Sequence, residues 1–71
     1  MSDPVMTVRA FAGAVSVEVA QGHPPFTVSL AGMSQSKPSR TFGFMNVRPG
    51  DYVVSAVDGS GRCSEVEVVV P

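Results

Sequence analysis

"YVVSAVDGSGRCSEVEVVV", residues 52–70, is the stretch whose reading decides the fold. Two apolar runs alternate with period two. A short polar stretch carrying Gly59 and Gly61 joins them. In the first run Tyr52, Val54 and Ala56 fall on one side, and Val53, Ser55 and Val57 on the other. In the second run Val66, Val68 and Val70 oppose Glu65 and Glu67. Successive strand side chains point to opposite faces, so this alternation predicts strands with one dry and one wet face. "DGSG" then reads as the hairpin connection between them.

The same pattern spreads outward along the chain. In "AVSVEVA" Val15, Val17 and Val19 oppose Ser16 and Glu18. In "FTVSL" Phe26, Val28 and Leu30 oppose Thr27 and Ser29. Val dominates the apolar residues, with Thr, Phe and Tyr beside it, which is a strand composition. Breakers separate the runs. In "QGHPPF", Pro24 and Pro25 cannot donate to a ladder. "AGMSQSKPS", residues 31–39, reads as the longest irregular stretch. "RPGD" fits a type II turn with Pro49 second and Gly50 third. Strands are predicted near 14–20, 26–31, 40–47, 52–57 and 62–70, with a weaker one near 5–11.

One wet face per strand is the habit of antiparallel sheets. The expected fold is all-β, a small immunoglobulin-like antiparallel β-sandwich of six to seven short strands. It occupies residues 13–71, after an N-terminal segment 1–12 with a possible edge strand. The core is expected to hold Val15, Val17, Val19, Val28, Leu30 and Phe44, with Val47, Tyr52, Val54, Val66 and Val68. Tyr52 should turn its ring inward and hydrogen-bond its hydroxyl to nearby backbone.

Composition bounds the function. With 71 residues and one cysteine, the core is thin and no internal disulfide can brace it, so support from a partner surface is a live option. A net charge of −1 gives no basic footprint for nucleic acid. No run approaches the roughly 20 apolar residues of a membrane span. "MSDPVMTVRAF" has no apolar signal region. It predicts a product made in the cytoplasm without a Sec signal, kept there or released inside an assembly. A lone thiol suits a reducing compartment.

The polar residues offer no catalytic constellation. His23 lies in a proline-rich turn with no Ser, Cys or carboxylate positioned beside it, and a general base needs such a partner. Cys63 lacks a neighbouring cation on its own strand face, since adjacent Arg62 points the other way. It reads as a small apolar residue at the sandwich edge, or as an intermolecular contact. Asp58 with Ser60 lacks the alternate acids of a calcium loop and reads as an Asx-type turn. Glu65 and Glu67 stand roughly 7 Å apart along a strand, on an open face rather than across a glycosidase cleft. They read as a solvated face that keeps the terminal strand from pairing with strangers. No enzyme activity, metal or cofactor is expected.

Counting turns along an antiparallel chain places "GHPP" and "RPGD" at one end. The 31–39 loop and "DGSGR" fall at the other. That second end would gather Met33, Lys37, Arg40 and Arg62 against Asp58, a candidate docking tip for a protein partner. Phe42 and Met45 are further candidates, Met45 alternating outward if Phe44 is core.

Three stretches carry a resemblance: "GAVSVEVAQGHPPFTVSL", "FMNVRPGDYVVSAVDGSGRC" and the Val-rich final strand. Together they resemble the immunoglobulin-like, SprB-type repeats of bacterial gliding adhesins, related in architecture to PKD-like domains. Gly22, Pro24, Pro25 and Phe26 match one motif, and Val47, Gly50 and Tyr52 a second. Asp58, Gly61 and Cys63 match a third, with Arg62 as an extra residue. The resemblance spans about residues 13–70 and speaks to fold more than function. In those repeats the late cysteine pairs with an early one, which this chain lacks. Standing as one unit, the chain is similar to the capsid decoration or cement proteins of tailed bacteriophages. That resemblance implies a structural binding module on a capsid or tail, held at the virion surface by contacts to a capsid or other virion protein in many copies. The alternative is a carbohydrate- or cell-surface-binding module with a glycan partner.

Overall fold

The computed structural model describes residues 5–71. The first four residues of the 1–12 segment lie outside that range. Seven strands follow one another: β1 (Met6–Phe11), β2 (Ala14–Val19), β3 (Phe26–Leu30), β4 (Met33–Lys37), β5 (Thr41–Met45), β6 (Gly50–Val57) and β7 (Cys63–Val70). They form a three-stranded sheet β1-β2-β5 and a four-stranded sheet β4-β3-β6-β7. Every pairing is antiparallel. The chain is thus an all-β, immunoglobulin-like sandwich, as the alternation predicts.

The dry faces meet between the sheets. Val15, Val17 and Val19 of β2 and Phe42 and Phe44 of β5 line one side. Phe26, Val28 and Leu30 of β3 and Val54 and Ala56 of β6 line the other. Burying each of these larger side chains stabilises the fold by about 1.5–3 kcal/mol. Met6, Phe26, Phe42, Ala56 and Val70 join the expected core. Tyr52, Val66 and Val68 are only half-buried and pack against its margin; Val66 and Val68 lie on the edge strand β7, and Tyr52 pairs with Val68 near the start of β6. The Tyr52 hydroxyl donates to the Arg48 carbonyl at 2.6 Å, the backbone bond expected of it.

The stretch 31–39 is not irregular. Ala31 and Gly32 connect β3 to β4, with Leu30 facing Met33 across the ladder. Both carry positive φ, 51° and 80°, as a two-residue type I′ hairpin requires. Asn-Gly or Asp-Gly is the usual sequence for that turn, and an alanine in the left-handed region masks it. β4 itself, "MSQSK", has no apolar alternation. It is an edge strand whose Gln35 side chain donates to the Gly43 carbonyl of β5 at 2.6 Å.

This extra strand reverses the parity of every later turn. Loops 20–25, 38–40 and 58–62 share one end of the sandwich, and bends 12–13, 31–32 and 46–49 share the other. "GHPP" and "DGSGR" are therefore neighbours, while "RPGD" lies opposite them. Nor is "RPGD" a type II turn. Gly50 opens β6 with φ 151°, far from the roughly 80° of that turn's third position. The left-handed residue of this bend is Asn46, at φ 60°.

Candidate functional site

The end shared by loops 20–25 and 58–62 is organised by Asp58. Strand alternation carries Ala56 inward, Val57 outward and Asp58 inward again, so a carboxylate is driven into the sandwich. It is buried, and it is satisfied by loop donors. Its Oδ1 accepts from the Ser60 hydroxyl at 2.7 Å, the Ser60 N–H at 3.0 Å and the Arg62 N–H at 3.0 Å. Its Oδ2 accepts from the His23 N–H at 3.2 Å. The backbone repeats the tie, since the Gly59 N–H donates to the His23 carbonyl at 2.6 Å. Such contact needs glycines. A Cβ on Gly22 would come within 2.9 Å of Asp58 Oδ2, and one on Gly59 within 2.6 Å of the Pro24 carbonyl. The motif residues Gly22, Pro24, Asp58 and Gly61 thus form a structural clasp between two loops.

The Asp58 carboxyl is held down at about 2, below its ordinary 3.8. The Ser60 hydroxyl bond lowers it most. Burial opposes this, and the N–H donors of His23, Arg62 and Ser60 lower it further. A carboxyl depressed in the folded state contributes stability above its unfolded value and loses it as pH falls toward the folded one. Stability is therefore expected to hold down to about pH 4 and to fall between there and pH 2. Urea midpoints measured over that window test this. Ser60→Ala should shrink the fall, because it removes the largest lowering cause.

The four predicted docking residues are split. Lys37, Arg40 and Arg62 do share the clasp end. Met33 starts β4 at the opposite end, because the stretch holding it is a strand that traverses the sandwich. The cations are also engaged. Lys37 Nζ stands 4.9 Å from the Phe42 ring centroid. The Arg40 guanidinium lies 5.1 Å from the Phe26 ring and donates to the carbonyls of Val19 at 3.4 Å and Gly22 at 3.3 Å. Arg62 gives its backbone N–H to Asp58. The Lys37 and Arg40 side chains thus cover aromatic rings, and Arg40 also braces the backbone at Val19 and Gly22. Phe42 is buried and unavailable for docking, because strand alternation places it with Phe44. His23 is exposed at its side chain and serves the clasp through its backbone. Cys63 lies on the edge strand as expected, but its free thiol is exposed rather than packed. Among the described residues no three His, Cys, Asp or Glu side chains group as metal ligands.

Two outer faces hold the remaining chemistry. On the β1-β2-β5 sheet, Phe11 faces Ala14 and Ala14 faces Met45. These three make one outward apolar row at the end opposite the clasp. Phe11 is 55% exposed and Met45 68%. The next outward row, Arg9-Ser16-Gly43, is polar or bare. Met45 was legible from alternation. Phe11 and Ala14 needed the register of the β1–β2 hairpin, which a weak first strand does not announce. On the other sheet, the outer face of β6 and β7 forms a groove of about 300 Å³ bordered by Asp51, Val53, Glu67 and Val69. No family model, curated protein or solved structure matches the chain.

Proposed function

We propose that this protein is a non-enzymatic binding module acting through protein–protein contacts, and more finely a decoration or cement protein on a bacteriophage capsid or tail. The observation that carries the binding reading is the exposed Phe11-Ala14-Met45 row. Methionine and phenylalanine on a flat sheet suit an adaptable apolar contact. Among the described residues Asp58 is the one carboxylate drawn into the sandwich, and its commitment to holding loops supports a non-enzymatic reading.

Size favours the finer reading. The Cα atoms span 34 × 18 × 18 Å, and an apolar row at one end of so narrow a sheet face covers less than the roughly 800 Å² per partner of a standard interface. A contact this small holds weakly by itself and becomes effective against a lattice of repeated partner copies. The resemblance to adhesin and phage units supports the same reading and would put the protein on the virion surface. A glycan-binding role finds less support, because Phe11 is the one well-exposed aromatic among the described residues.

Quantitative mass spectrometry of purified particles, paired with co-sedimentation of added protein, tests this. Many copies per particle are expected, and Met45→Asp should weaken co-sedimentation at least about tenfold, the scale of a desolvated apolar contact. Absence from particles, or Met45→Asp binding as the wild type does, would overturn the reading. Saturable glycan binding by the isolated chain would replace it with the carbohydrate alternative.

A further inference from the structure

The outer face of β6 and β7 is a checkerboard. Asp51 faces Val69 and Val53 faces Glu67 across the ladder. The two carboxylates thus occupy one diagonal and the two valines the other, at diagonal spacings of about 7 Å. Val53 is 49% exposed and Val69 67%. Glu65 extends the acidic side by one more outward position.

The surrounding charges do not neutralise this face. Arg9 projects from the other sheet, and Lys37 and Arg40 lie against rings at the clasp end. Arg48 and Arg62 stand in the loops before β6 and β7, and neither forms an ion pair with Asp51, Glu65 or Glu67. Among the described residues no hydrogen bond or ion pair engages the side chains of Asp51, Glu65 or Glu67. Protection of an edge strand would explain acids on β7. It does not explain exposed valines set between them, which work against such protection.

A lysine or arginine side chain has the complementary shape, an aliphatic stem with a cationic head. Each valine has a carboxylate directly opposite it on the neighbouring strand, so a stem lying on Val53 brings its head to Glu67 and one lying on Val69 brings its head to Asp51. We propose that the β6–β7 groove is a docking site for an extended basic segment of the partner protein, with cationic and apolar side chains alternating. This rests on the binding-module reading and names the chemistry of the partner. The groove and the Phe11-Ala14-Met45 row lie on opposite sheets, so one molecule can hold two partner surfaces at once, as a cement does.

The test uses the whole chain, ¹⁵N-labelled, titrated with a five-residue peptide alternating lysine and valine, and with the same peptide carrying glutamate for lysine. Saturable shifts confined to residues 51–54 and 65–69 are expected with the lysine peptide only, fading as salt screens the contact. The double variant Asp51→Asn with Glu67→Gln should weaken binding about fivefold, with an unchanged thermal midpoint showing that it still folds. Equal affinity in the variant, equal binding of the glutamate peptide, or shifts centred on Glu18 would overturn the assignment. Co-sedimentation with particles separates the two ideas. If peptide binding fails while particle binding persists, the groove assignment falls and the module reading stands.

Discussion

Phe26→Ala is expected to remove about 3–5 kcal/mol from a domain whose whole stability should lie near 4–10 kcal/mol. That is about a third or more of the total, and at the lower end of the range it leaves a large share of molecules unfolded in water at 25 °C. The ring is fully buried at the start of β3. It also lies beneath the Arg40 guanidinium and beside Gly22, so its loss opens a cavity where the core meets the clasp. In so thin a sandwich few neighbours can collapse into that space. Urea unfolding followed by far-UV circular dichroism would show the midpoint falling by about a third or more. A shift smaller than that of a Val→Ala change in the same core would mean that Phe26 is not the keystone described here.

Gly59→Ala is expected to have the second largest effect, about 1–3 kcal/mol or more. The added Cβ would stand 2.6 Å from the Pro24 carbonyl oxygen and 3.0 Å from that of His23. Both are backbone atoms, so no side chain can swing away. Relief requires parting loops 20–25 and 58–62, which stretches the 2.6 Å Gly59–His23 bond and the His23–Asp58 bond with it. Gly43→Ala is the control with the opposite sign. Its Cβ would meet nothing within 4 Å, and a compatible Gly→Ala exchange stabilises by about 0.4–1 kcal/mol through the unfolded chain. Equal midpoints for the two variants would contradict the clasp geometry.

How much of this was legible in the sequence differs between strands. Wherever valines alternate with polar residues, as in β2 and β7, the sequence announces both the strand and its buried face, because period two has one structural meaning there. β4 carried no such message. Its serines face water and its Gln35 and Lys37 lie over an open sheet edge, so burial imposed no apolar pattern on it. Missing it reversed the parity of the turns and placed Met33 in the wrong company.

The clasp was half legible. Asp58 reads as an Asx-type turn from its neighbours Ser60 and Gly61, and it makes those bonds. Its reach to His23 spans 35 residues of chain. Only the fold brings those loops together, so nothing local could reveal it. The resemblance motifs Gly22, Pro24 and Asp58 marked the pieces without saying that they touch. The apolar row and the β6–β7 checkerboard depend on register across strands, which alternation within one strand does not supply.

The central claim is that the polar loop after β6 serves the fold, which leaves function to the outer faces. The most direct measurement is a carbon-detected NMR titration of the Asp58 side-chain carboxyl in the intact protein. A midpoint near 2 is expected, with the His23 and Arg62 amide signals moving in step. A midpoint at or above the ordinary 3.8, with those amides unmoved, would mean that the carboxylate is free for other chemistry and would contradict the claim.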